Sequence, residues 1–314
     1  MNTPVGPMMW VVFGAVVLVM LALDLGVFHR KAHVIGTREA ALWSFIWIGV
    51  ALLFNLGIYF RFGSDKALEF FQAWLIEKAL SVDNLFVFLA AFSYFAVPAH
   101  LQHRVLFWGI VGALITRGVF IAVGAALLAT AHFVLYVFGA FLIFTAVRLM
   151  RGGDEEVHPE RNPVLALFRR FVRVTPEYVG NSFFARREGL LYATPLLMVL
   201  VVIEATDVVF AVDSIPAVFG VTTDVFIVYT SNIFAVLGLR ALCFLVASIV
   251  KRLHYLRPAL ALVLAFVGAK MLASDVIHVP NSISLLVIGG LIGGAALLSV
   301  LVSRKNPPED PQQE

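Results

Sequence analysis

Glu77 and Asp83 stand in one long apolar run of the chain, and Glu204, Asp207 and Asp213 stand in another. A carboxylate at hydrocarbon depth costs about 2.5–3.5 kcal/mol, so such a set calls for compensation by a cation, a proton or a paired base. The polar side chains in or near the same runs are oxygen-rich: Ser81, Asn84, Thr206, Ser214, Ser231 and Asn232. All eight histidines fall in loops or near helix ends, and Cys243 is the only thiol. Hard oxygen donors without imidazole or thiolate suit Mn, Mg or Ca rather than Zn or Cu.

Three bases share these apolar surroundings, Lys78, Arg117 and Arg240. Salt bridges to them that merely fix the bundle would account for three acids and leave two over. Burial and like-charge neighbours would keep some of the remaining carboxylates protonated, and an arriving divalent cation would displace those protons. Metal movement would then be coupled to proton movement in the opposite sense. A guanidinium cannot release its proton, so Arg117 and Arg240 are read as partners of site carboxylates or carbonyls, not as substrate ligands. Asp24, near the end of the first apolar run, reads as a capping or interfacial residue.

Helical geometry sorts the second group of acids. Glu204 and Asp207 are three residues apart and share a face, whereas Asp213 lies about 120° further round a continuous helix. Pro216 disfavours helical geometry just before itself, so a break is expected there that swings Asp213 inward.

The elements that must position these residues follow from hydropathy. The chain is 61% hydrophobic and 14% charged, with a mean hydropathy of +0.94, against a charged fraction of about 25% in soluble domains. An all-α polytopic membrane protein is expected. Nine stretches can cross a hydrocarbon core: 8–28, 40–60, 68–95, 104–127, 131–150, 190–217, 225–250, 257–275 and 282–303, numbered here as helices 1 to 9. One membrane domain, 1–305, takes nearly the whole chain, with a polar tail from 306 to 314 that reads as disordered.

Positive charge recurs in every second loop: His29, Arg30 and Lys31, then Arg104, the 151–189 loop, Lys251, Arg252 and Arg257, and Arg304 and Lys305. This pattern places the N-terminus outside and the C-terminus in the cytoplasm. It is topology rather than a nucleic-acid-binding face, since the net charge is only +3. A basic cluster after helix 1, with none before it, reads as stop-transfer and not as a cleaved signal. In the longest loop Val164, Leu167, Phe168 and Phe171 recur at helical spacing opposite Arg169, Arg170 and Arg173. That predicts an amphipathic helix, either on the cytoplasmic leaflet or packed beneath the bundle. Gly289, Gly290, Gly293 and Gly294 give helix 9 two overlapping G-x-x-x-G patterns, which permit close packing within the bundle or homo-oligomerisation.

The chain also repeats itself. Ser-Val-Asp-Asn-Leu-Phe at 81–86 matches Ala-Thr-Asp-Val-Val-Phe at 205–210, pairing Asp83 with Asp207. Leu114 and Arg117 match Leu237 and Arg240, and Phe144 and Arg148 match Phe266 and Lys270. The spacings agree: 34 residues from 83 to 117 against 33 from 207 to 240, and 31 from 117 to 148 against 30 from 240 to 270. A competing register would pair Asp83 with Asp213 and Glu77 with Asp207, but it loses these later matches. Three helices per repeat is an odd number, so helices 3–5 and 6–8 would be inverted in the membrane, the arrangement by which many secondary transporters place a site at mid-depth.

At these residues the sequence resembles the TerC family of integral membrane proteins, in its alkaline-inducible Alx branch. The matching stretches are EKALSVDNLFVF at 77–88, FGAFLIFTAVRLM at 138–150, LLYATPLLMVLVVIEATDVVFAVDSIPAVF at 190–219 and TSNIFAVLGLRALCF at 230–244. The family is named for tellurite resistance, and the resemblance implies a divalent-metal exporter, Mn2+ above all, in a bacterial inner membrane. Carried over by position, its membrane acids fall on Glu77, Asp83, Glu204, Asp207 and Asp213.

The expected ligand set is therefore Glu77, Asp83, Asn84, Glu204, Asp207 and Asp213, supported by Lys78, Arg117, Arg240, Ser214 and Asn232. The transported ion is the substrate; no cofactor and no enzymatic activity are expected, and the partners are metal, protons and lipid. A non-transporting scaffold of a metal or tellurite stress-response complex is the alternative, though it leaves the buried acids unexplained. An intramembrane aspartyl protease lacks its G-x-G-D motif here, and a retinal photoreceptor built on Lys270 does not account for the repeat.

Overall fold

The computed structural model describes residues 6–28, 36–131, 133–151, 163–187, 189–249, 255–277 and 279–305. The elements in chain order are α1 (Pro7–Phe28), α2 (Thr37–Phe62), α3 (Ser64–Tyr94), α4 (Ala99–Thr130), α5 (Phe133–Arg151), α6 (Pro163–Phe171), β1 (Phe184–Arg187), β2 (Leu190–Ala193), α7 (Pro195–Phe219), α8 (Val225–Leu237), α9 (Leu239–Ile249), α10 (Leu256–Leu272) and α11 (Asn281–Lys305). The fold is nearly all α, and every expected apolar stretch contains the greater part of a helix or, for 225–250, the pair α8 and α9.

Five helices among the described residues are long and apolar enough to cross a membrane singly: Arg38–Phe62, Ala99–Thr130, Phe133–Arg151, Pro195–Phe219 and Asn281–Ser299. Joined, α8 and α9 make a sixth, bent by 41°. The helices α1, α3 and α10 are not among these; α10 has 17 residues, and α3 carries Asp65, Lys66, Glu69, Glu77, Lys78 and Asp83 along its length. The chain is a multi-pass membrane protein.

The break expected before Pro216 is absent. Helix α7 runs unbroken from Pro195 to Phe219 with Pro216 inside it. A proline in a last turn forfeits only one hydrogen bond of the ladder, and the Pro216 carbonyl still accepts from the Gly220 amide at 3.0 Å. The break lies instead between α8 and α9, at Gly238. A Cβ on Gly238 would stand 2.7 Å from Lys78 Nζ and 3.1 Å from Trp47 Cβ. Lys78 donates to the Ala235 carbonyl at 3.1 Å, a hydrogen-bond partner for the last turn of α8.

Residues 190–193, expected as the start of helix 6, are a strand. They pair antiparallel with 184–187 across a tight turn that holds Gly189 at φ +79°. Thr194 closes the hairpin, its amide donating to the Phe183 carbonyl at 2.9 Å and its hydroxyl to the Ser182 carbonyl at 2.7 Å. Pro195 then opens α7 at a position where a missing N–H costs nothing. The expected helix in the long loop is α6, and it packs on the bundle: Leu165 is buried and Phe168 joins the same apolar cluster, while Leu167 and Phe171 are exposed. The side chains of Val164 and Arg169 lie outside the described residues, as do 152–162 and the tail 306–314.

Packing divides into three principal apolar clusters. One joins the α3, α4 and α7 halves around Leu85, Leu106 and Val202; a second joins α3, α4, α5, α7 and α10 around Ile76, Ile121, Leu142 and Val263. The third seats α1 and α2 on α3 and α8 through rings, with Phe54 and Phe234 centroids 4.6 Å apart. Helices α5 and α10 meet backbone to backbone: a Cβ on Gly268 would lie 2.7 Å from the Gly139 carbonyl. By contrast, Gly289, Gly290, Gly293 and Gly294 have no atom within 4 Å of an added Cβ.

Gly268→Ala should therefore cost about 1–3 kcal/mol by prising this seam apart, and Gly289→Ala should stay within about 0.5 kcal/mol. Thermal unfolding of the two variants in one detergent checks this, and equal midpoints would refute the close contact.

Candidate functional site

A polar layer separates the first two clusters. Ile76 and Leu85 bracket Glu77 on α3, Ala113 and Ile121 bracket Arg117 on α4, Ile203 and Ala211 bracket Asp207 on α7, and Val228 and Val236 bracket Asn232 on α8. All four polar residues lie near the middle of their helices and are buried, Arg117 at 1% exposure. A charge at that depth needs partners, and each of the other three helices supplies one.

Arg117 Nη1 is ion-paired with Glu77 Oε1 and also donates to Asn232 Oδ1 at 3.3 Å. Its other edge spans Asp207, Nη2 to Oδ1 at 3.0 Å and Nε to Oδ2 at 3.4 Å. This is the fork-to-carboxylate geometry for which arginine is suited. Asn84 Nδ2 donates to the same Asp207 Oδ1 at 3.4 Å, and Ser81 donates to the Glu77 carbonyl at 2.6 Å. Three buried atoms of this region have no hydrogen-bond partner: Glu77 Oε2, Ser214 Oγ and Asn232 Nδ2.

Beside the layer is a cavity of about 70 Å3, lined by Glu77, Asn84, Arg117, Thr145, Asp213 and Ser214 with Leu80, Leu149, Phe210 and Leu264. Asp213 thus reaches the site from an unbroken α7, held by the Thr145 hydroxyl at 3.1 Å. Glu204 does not line this cavity but faces α4. Its half-buried carboxyl sits in the space that a Cβ on Gly112 of α4 would fill.

A second polar cluster stands where α3 begins. Lys66 Nζ meets Glu69 Oε2 at 2.8 Å and Asp224 Oδ2 at 3.2 Å, and the Thr222 hydroxyl donates to Glu69 Oε2 at 2.6 Å. Asp224 also caps α8, accepting from the Phe226 amide at 3.1 Å.

Comparison with known proteins fits this architecture. A family profile described as the integral membrane protein TerC family matches residues 62–307. The chain belongs to the TerC family. It is 50% identical over 304 residues to a membrane protein of Myxococcus xanthus, covering 97% of this chain and 95% of that one. It is 43% identical over 315 residues to the putative membrane-bound redox modulator Alx of Escherichia coli (strain K12), covering 98% of each. A membrane protein of Rickettsia bellii is 41% identical over 299 residues, covering 95% of this chain and 98% of that one. No solved structure matches.

Of the expected site residues, the structure brings together Glu77, Asn84, Asp207, Asn232 and Arg117, with Asp213 and Ser214 on the adjoining cavity. Glu204 makes no hydrogen bond to them but stands one turn from Asp207 on α7 and feels its charge, and the side chains of Asp83 and Asp24 lie outside the described residues. Lys78 does not pair with a carboxylate among the described residues; it serves the Ala235 carbonyl instead. Arg240 is buried on α9 immediately after the break. Among the described residues no three Asp, Glu, His or Cys side chains are grouped to hold one metal ion; between Glu77 and Asp207 stands Arg117. Sequence reasoning did not single out Gly112 or Thr145. Thr145 carries the same signal as the residues it did select, a hydroxyl inside an apolar run.

Asp207→Ala should leave Arg117 buried with half of its acceptors and destabilise the protein by about 3–5 kcal/mol. Asp213→Ala removes one neutral–acid hydrogen bond and should cost about 1–3 kcal/mol. Denaturation of both variants tests this ranking, and the reverse order would displace Asp207 from the centre of the network.

Proposed function

We propose that this protein is a secondary transporter that exports divalent cations, Mn2+ foremost, from the cytoplasm across a bacterial inner membrane in exchange for protons. The observation that carries the reading is the convergence of Glu77 and Asp207 from α3 and α7 at the middle of the bundle, with oxygen-bearing neighbours and a small cavity that Asp213 and Ser214 also line. The cavity offers room for roughly two waters, a scale that suits an ion and not an organic substrate. Carboxylate and amide oxygens are the donors that Mn2+, Mg2+ and Ca2+ accept.

The packing supports an inverted repeat of α3–α5 and α7–α10. Helix α3 lies against α8 and α7 lies against α4, two pairings that interchange if α3 corresponds to α7 and α4 to α8 with α9. Asp83 then corresponds to Asp207, and Arg240 to Arg117. Rocking of one repeat against the other would expose the site to each side in turn, with the N-terminus outside and the C-terminus in the cytoplasm. The name of the Escherichia coli relative points to redox modulation. In this chain a dithiol mechanism has no second cysteine, and Cys243 is buried.

Asp83→Asn and Asp207→Asn preserve side-chain shape and should leave a folded protein that no longer moves metal. Mn2+ and proton fluxes measured together in vesicles of known orientation are the test. Wild-type flux in either variant would remove that acid from the site. Metal uptake with no pH movement would end the antiport proposal, and no divalent flux at all would favour the scaffold reading.

A further inference from the structure

Arg117 does more than balance charge if the oxygens it holds are counted. Glu77 and Asp207 have four carboxylate oxygens between them, and the guanidinium takes three: Oε1 of Glu77 and both Oδ of Asp207. The fourth, Glu77 Oε2, is buried without a hydrogen-bond partner. Ser214, whose buried hydroxyl is likewise unpartnered, lines the same cavity as Glu77 and Arg117. Of the four oxygens on these two acids only one is thus free, so a hard divalent ion, which takes at least six oxygens, can draw fully on both acids only by taking oxygens that Arg117 holds.

Geometry makes the two cations mutually exclusive. Oxygen ligands approach Mn-, Mg- or Ca-like ions to about 2.0–2.6 Å, whereas the Asp207 oxygens are already directed at Arg117 nitrogens 3.0 and 3.4 Å away. An ion seated on both carboxylates must take the place of the guanidinium on at least one. Charge favours such an exchange over simple addition, since a divalent ion and a guanidinium held on the same two carboxylates would bury like charges side by side.

We propose that Arg117 is a tethered cation that competes with the transported ion for Glu77 and Asp207, holding the site shut until a divalent cation displaces it. The inference rests on the transport reading above and adds the element that regulates occupancy of the same site. It gives the arginine a positioning role: its withdrawal is the event that makes the two acids available, and its return expels the ion without leaving two bare carboxylates behind. Selectivity for doubly charged ions follows, because a monovalent ion gains no charge advantage over the guanidinium it must replace.

A tethered competitor lowers apparent affinity to the intrinsic affinity multiplied by the fraction of time that the site is free of it. Removing the competitor should therefore tighten binding, the opposite of what the loss of a merely structural residue would do. The experiment is Mn2+ titration of the full-length protein in lipid nanodiscs at pH 8, comparing wild type, Arg117→Lys and Arg117→Gln. Arg117→Gln should bind at least about tenfold more tightly than wild type, with Arg117→Lys between them, because an ammonium is a point charge that cannot span both acids. Mn2+ should also raise the unfolding temperature of Arg117→Gln more than that of wild type. If Arg117→Gln does not fold, Arg117→Lys decides alone and must still bind more tightly than wild type. Equal or weaker binding by the folded variants overturns the competition. Failure of wild type and both variants to bind Mn2+, Mg2+ or Ca2+ overturns the transport reading itself, and the competition with it.

Discussion

A guanidinium cannot shed its charge, so an arginine in the middle of an apolar helix obliges neighbouring helices to bring acceptors to it. Arg117 draws Glu77 from 40 residues away, Asp207 from 90 and Asn232 from 115. No local rule could assemble these four; they meet because each helix presents one polar residue at the same depth. The apolar clusters on either side inherit their positions from that layer, since a slip of one turn along any of the four helices would part a buried charge from its partner. The layer thus sets register for the bundle, much as a buried polar residue does in a coiled coil.

Hydropathy was sufficient for the helices because the bilayer leaves few alternatives: backbone polar groups must be satisfied within a segment, and an apolar run of adequate length has one way to do so. It was also enough to mark Glu77, Asp207 and Arg117, whose cost at that depth is visible in the residue types alone. Which acid meets which base was not legible, since that depends on helix rotation, and rotation is set by packing. Hence Lys78 and Arg117, equal in the sequence, differ in the structure: one serves a backbone carbonyl, the other two carboxylates.

Pro216 and Gly238 show where local rules yield. Pro216 carries a stronger local signal than Gly238, yet α7 continues through the proline and the chain bends at the glycine. Proline near a helix end removes little, and the surrounding helices bury that turn. Gly238 is fixed by its neighbours, with Lys78 and Trp47 in the space a side chain would need. The hairpin at 184–193 was hidden for a different reason. Leu190, Leu191, Tyr192 and Ala193 continue the apolar run that follows, and only Gly189 and Pro195 punctuate it.

That hairpin is fused to the helix that bears Glu204, Asp207 and Asp213. Thr194 holds strand and helix together through Ser182 and Phe183, with no linker between the last paired residue and the first helical turn. Any tilt or rotation of α7 must therefore be transmitted to a structured knob at the end of the bundle, like a lever arm outside a sealed housing. The packing around Asp207 and the packing around Thr194 are thus parts of one continuous piece of backbone, and neither can be repositioned without the other.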